Sequence, residues 1–175
     1  MMKIALNTFL FLVCFAFLLP AYSQETTIVP DSVWEIPSHI IFYGKEQASI
    51  GNHKIIEIIE NDTRFQNFSI EEKFGFYDQT QLGFFKKEDW DNAIKYELKS
   101  IQLAKDNNRE DLNFNSAKAP FVYHNYYWVS CYQVYKENLD SAAYYCLLHL
   151  SEVEKFFGID SKEFLCAMLS PTIFS

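Results

Sequence analysis

Asp89-Trp90-Asp91-Asn92-Ala93-Ile94-Lys95-Tyr96 and Asn138-Leu139-Asp140-Ser141-Ala142-Ala143-Tyr144-Tyr145 decide how this chain is read. Each stretch opens with an Asx residue, whose side chain accepts a free amide of the first helical turn. Each then sets a bulky apolar residue, an Asp, a polar residue and an Ala in the same register. In the first, Ala93, Ile94, Ile101 and Ala104 continue a helical stripe with Leu98 beside it, until Lys105-Asp106-Asn107-Asn108 end it. In the second, Ala142, Ala143, Tyr145, Cys146, Leu148, Leu150 and Val153 follow, and Gly158 ends the helix.

Helix signals continue outward from both. Upstream, Ser69-Ile70-Glu71-Glu72 is a capping box opening a stripe of Ile70, Phe74, Tyr77, Phe84 and Phe85, with Lys86-Lys87 in the last turn. Asn52 caps a short helix over Ile55, Ile56, Ile58 and Ile59, although this β-branched run also fits a strand. Residues 24–51 read as an extended lead-in, with Val33 and Trp34 packing back. Residues 106–118 are polar and Asn-rich, a surface loop. Pro120 suits the start of an aromatic helix carrying Tyr123, Tyr126, Tyr127, Trp128, Tyr132 and Tyr135. Downstream, Asp160-Ser161-Lys162-Glu163 is a second capping box, opening a stub with Phe164, Leu165 and Met168 that ends at Pro171. The fold class is all-α, made of antiparallel helical hairpins.

The paired segments resemble the tetratricopeptide repeat. In that family a small residue sits where the two helices of a repeat touch, with an aromatic and a second small residue further on. Ala93, Tyr96 and Ser100 match those positions closely, and Phe84 fills the aromatic place of the preceding helix. The second copy departs more: His149 stands where the second small residue belongs, and Tyr132 is one place off register. Ala93 and Ala142 are 49 residues apart, against about 34 in the family. The excess fits the Asn-rich loop. The likeness spans roughly residues 70–169, with copies at 70–105 and 120–157 and a partial third helix at 160–169. It implies a short right-handed solenoid over residues 52–175, with a concave face lined by the first helix of each pair. The matching positions are Asp78, Leu82, Phe85 and Lys86 in the first copy. In the second they are His124, Tyr127, Cys131, Val134 and Tyr135.

The first 23 residues give an expected address. Lys3 is the only charge before Glu25, Ile4 to Pro20 is almost wholly apolar, and Ala21-Tyr22-Ser23 offers a small-residue cleavage site. That is the pattern of a secretory signal peptide, too short to cross a bilayer at ~20 residues. Export follows, to the periplasm or outside the cell in a bacterium. Cys14 has bulky neighbours and does not read as a lipidation site. Cleavage would leave Cys131, Cys146 and Cys166. The first two lie on the paired helices of one hairpin, where they either meet or sit as two small buried residues.

Composition narrows the chemistry. The chain has 175 residues, 49% hydrophobic and 22% charged, which excludes disorder. With 15 Lys and Arg against 23 Asp and Glu it is acidic, which disfavours nucleic acid. Its five Gly are scattered, there is no H-E-x-x-H or C-x-x-C, and the four His lack ligand spacing. No cofactor or metal is expected. The leading expectation is an exported, non-catalytic scaffold that binds protein or peptide. A second is a carbohydrate-binding accessory protein or enzyme using the rings at 123–135. A third is a truncated periplasmic sensor or regulatory module. The stub 160–169 leaves apolar surface on one end, so self-association through residues 140–175 is also expected.

Overall fold

The computed structural model describes residues 28–109, Leu112 and 121–169, leaving out the side chains of 121–123 and 169. The expected leader, Pro120 and the loop beyond Leu112 lie outside the described residues. All regular structure among the described residues is helical: α1 Asp31–Trp34, α2 Pro37–Ile50, α3 His53–Asn61, α4 Thr63–Gln66, α5 Ile70–Phe85, α6 Trp90–Asp106, α7 Phe121–Tyr135, α8 Leu139–Phe157 and α9 Lys162–Leu169.

Three hairpins share one turn. At the end of α5, the Glu88 and Asp89 amides donate to the Phe85 and Phe84 carbonyls, with Glu88 at φ 59°. Asp89 then caps α6, its side chain accepting from the Asn92 amide. At the end of α7, Glu137 and Asn138 donate to Val134 and Gln133, Glu137 lies at φ 58°, and Asn138 caps α8. At the end of α2, Gly51 and Asn52 donate to Ala48 and Gln47, Gly51 lies at φ 81°, and Asn52 caps α3. In each turn a left-handed residue closes one helix, and its successor satisfies the free amides of the next.

The α2/α3 hairpin corrects the expected extended lead-in over 24–51 within the described residues, where Pro37–Ile50 is helical. Pro37 sits in the first turn of α2, where its fixed φ suits a helix and its missing N–H costs nothing. The buried stripe is Ile40, Gly44 and Ala48, spaced by four but mostly too small to register as a hydrophobic period. The stretch after Asn52 is a helix and not a strand. Val33 is buried and Trp34 meets Phe68 edge-on at 6.2 Å, so the lead-in does pack back. Arg64 holds it there, lying 4.2 Å over the Trp34 ring and bonding Asp31 at 3.0 Å.

The hairpins pack in chain order. α2 lies against α5, α5 against α6, α6 against α7, α7 against α8, and α9 covers part of α8. The core runs through them from Ile40, Ile56 and Phe65 to Phe76, Phe84, Tyr96, Val129 and Tyr132. Ala93 and Ala142 are fully buried where their helices meet neighbours. At the second, the Ser130 hydroxyl donates to the Ala142 carbonyl at 2.9 Å, so α7 and α8 approach closely. Ala93→Leu and Ala142→Leu are each expected to lose about 1–3 kcal/mol in chemical denaturation through overpacking. Neutral behaviour of both would break the equivalence of the two hairpins.

The C-terminal stub starts one residue later than expected. Ser161, not Asp160, is its cap, its hydroxyl accepting from the Phe164 amide at 3.0 Å. Phe164 turns inward, while Leu147, Leu165 and Met168 are exposed. Of the stub's three large apolar residues, Phe164 is thus buried and Leu165 and Met168 are left open to solvent.

Candidate functional site

The α7 sequence places an aromatic residue on nearly every face, and its neighbours decide which rings are left over. Tyr126 is buried and its ring stacks on Tyr145, and Tyr127 packs on His149 at 5.6 Å. Cys131 is buried. Tyr127 and Cys131 thus belong to the α7/α8 contact. The side chains that face outward on α7 are His124, Trp128 and Tyr135. Trp128 is 37% exposed and Tyr135 59%.

These rings form one row across three helices. Trp128 Nε1 donates to His124 Nε2 at 3.0 Å. That nitrogen must be unprotonated to accept. The neighbouring rings shield part of the outward-facing His124 imidazole from water, and this desolvation first, with His149 second, holds it below the ordinary histidine range, which favours this state. The Trp128 ring stacks over Tyr132 at 6.2 Å, and Tyr132 meets Phe85 of α5 at 5.7 Å and Trp90 of α6 at 6.1 Å. Trp90 in turn stacks on Tyr135 at 4.8 Å and 20°. The row begins and ends on α7, and its middle is anchored on α5 and α6.

Beneath the row lies a polar layer. Gln81 Nε2 donates to the Tyr132 hydroxyl. Asn125 Nδ2 donates to Ser100 Oγ at 3.2 Å, and that hydroxyl donates to the Glu97 carbonyl at 2.7 Å. Glu97 is 3% exposed. Burial first, then the nearby Asp78, pushes its carboxyl well above the ordinary range. Burial likewise raises Asp78, against the opposing effects of Gln79 and Lys45. Both carboxyls favour the protonated, hydrogen-bond-donating form more than solvated ones do.

The residues expected on a concave face separate into groups. Phe85 belongs to the ring row, Tyr135 ends it and His124 extends it beyond Trp128. Asp78 belongs to the polar layer below, and Leu82 and Val134 are half-buried. Lys86 is exposed at the end of α5. Trp128, Trp90 and Glu97 lie outside the set that the repeat resemblance implies for that face. The signal for Trp128 is its spacing of four from His124. The signal for Glu97 is its place in the buried series Ala93, Glu97, Ser100, Ala104. Cys131, Cys146 and Cys166 are free thiols. No group of three or more metal-ligating side chains occurs among the described residues, nor is any described helix long and apolar enough to cross a membrane. Compared with family models, with curated proteins and with solved structures, the chain matches none.

Proposed function

We propose that this chain is an exported, non-catalytic scaffold of tetratricopeptide-like hairpins that binds protein or peptide through the exposed ends of this ring row. The observation that carries the reading is the stacked series Trp128–Tyr132–Trp90–Tyr135, spanning two consecutive hairpins with its terminal rings open to solvent. Large flat side chains held rigid by stacking lose little entropy on contact, and they dominate binding energy in protein interfaces. Three hairpins closed by one turn support a repeat scaffold, since each then offers the same edge to its neighbour. Export rests on the apolar leader in the sequence.

A peptide-display panel against the full-length chain tests this. Trp128→Ala and Tyr135→Ala should each weaken the selected peptides about tenfold or more while leaving far-ultraviolet circular dichroism unchanged. A second reading has support in the same rings, because an exposed Trp face also suits a sugar ring. Saturable binding of a glycan that quenches Trp128 emission, with no peptide selected, would replace the peptide reading with that one.

A further inference from the structure

The α7/α8 hairpin carries two thiols on its facing sides. Two contacts fix its register. Ser130 Oγ reaches the Ala142 carbonyl at 2.9 Å, and the Tyr127 ring lies 5.6 Å from that of His149. Cys131 stands one helical turn from Tyr127 in the direction of the interhelical turn. Cys146 stands three residues from His149 in the same direction. Antiparallel helices keep step along their contact, so the two thiols occupy the layer adjoining Tyr127 and His149. Side chains on a helix lean toward its N-terminus, which brings a Cys131 leaning away from the interhelical turn toward a Cys146 leaning to it. Their burial agrees: Cys131 is buried and Cys146 half-buried, and the Cys146 sulfur is near enough to perturb the Cys131 thiol.

We propose that Cys131 and Cys146 form a thiol pair that closes to a disulfide inside this hairpin on meeting a disulfide oxidant. Two exchanges complete the reaction. The Cys146 thiolate, the more accessible, attacks one sulfur of the oxidant, whose S–S bond breaks. One oxidant thiolate leaves and takes up a proton, and a mixed disulfide stands on Cys146. The Cys131 thiolate then attacks Cys146 Sγ and expels the second oxidant thiolate, which is protonated in turn. The pair has lost two protons and two electrons, and the oxidant disulfide has become two thiols. Burial holds both cysteines above the ordinary thiol range. The thiolate is the nucleophile, so the reaction speeds up as pH rises. The exposed Cys166, on α9, stands outside this layer.

The test uses the full chain with Cys14→Ser and Cys166→Ser, incubated folded with oxidised glutathione and read by non-reducing intact mass. The expected product has lost two hydrogens and retains no glutathione. It melts on the order of 5–10 °C higher, because the bond closes a short loop in the unfolded chain, and reduction reverses the shift. Adding Cys131→Ser should trap one glutathione on Cys146. Adding Cys146→Ser should leave the chain unmodified, or modified about tenfold more slowly, because Cys131 is buried. Glutathione retained on Cys146 when Cys131 is present would overturn the proposal. So would a disulfide-linked dimer, or a bond that forms only in denaturant.

Discussion

Gly83→Ala is expected to destabilise the protein by about 2 kcal/mol or more, lowering its melting temperature by roughly 4–8 °C. The direction is informative, because Ala outranks Gly in a helix interior by about 1 kcal/mol. Gly83 lies inside α5 with an ordinary helical backbone, so local propensity predicts a gain. Space predicts the loss. A Cβ at this position would stand 2.7 Å from the Lys45 carbonyl oxygen and 2.7 Å from the Ala48 Cβ of α2. Those atoms are backbone or backbone-bound and cannot swing aside, so α2 as a whole must retreat. The contact is reciprocal: a Cβ on Gly44 of α2 would overlap the buried Phe76 ring of α5. Two glycines on facing helices thus let α2 and α5 approach closely. Hydrogen exchange should localise the damage, with α2 amides losing protection before those of α7 and α8. A rise in melting temperature would show that α2 docks more loosely than its glycines require.

That contact also explains which parts of the fold were legible. Caps are local chemistry: Asn52, Asp89, Asn138 and the Ser69–Glu72 box each satisfy amides within three residues, so the chain states them directly. Packing between small residues is not local. Gly44 and Ala48 carry almost no hydrophobic signal, yet they bury the face of α2 that meets α5. The helix therefore shows no hydrophobic period in the sequence, and without it the first of the three hairpins is not legible there. The repeated turn was half visible, in the Asx residues that open α3, α6 and α8. Its left-handed partner was hidden, because a Glu at residues 88 and 137 stands where Gly is the usual choice. At the candidate site, the sequence located the aromatic helix but not its exposed face. Tyr127 and Trp128 are adjacent and equally aromatic. What turns the first toward α8 is His149 across the hairpin, 22 residues away in the chain.

Glu97→Gln is expected to stabilise the protein at neutral pH, and the gain should grow with pH. Glu97 lies in the buried stripe of α6. Burial acts first on its charge and Asp78 of α5 second, with Lys45 of α2 acting on Asp78; the Tyr132 hydroxyl of α7 is in turn raised by burial first and by Glu97 second. None of these gives Glu97 a counter-charge of its own. A solvated glutamate ionises near 4.5, and in the folded chain this carboxyl holds its proton to higher pH. Below pH 4.5 both states carry the proton, and Glu97 costs the fold nothing through ionisation. Above it, the unfolded chain releases a proton that the folded chain keeps. Stability from this group is then lost by as much as ~1.4 kcal/mol per pH unit until the folded carboxyl also ionises. Gln keeps the size of the side chain and removes the titration. The stability difference between variant and wild type should therefore be small at pH 4 and reach about 1–3 kcal/mol by pH 7. Comparing the two chains at each pH cancels the opposite trend from Asp62 and Glu71. Their carboxyls are held low, Asp62 chiefly by Arg64 and Glu71 chiefly by a backbone amide with Arg109 second. They lose their contribution as pH falls. Urea titrations of both chains from pH 4 to pH 8 measure this difference. A flat difference would mean that Glu97 ionises in the folded chain as easily as in water, and that the layer beneath Tyr132 is wet.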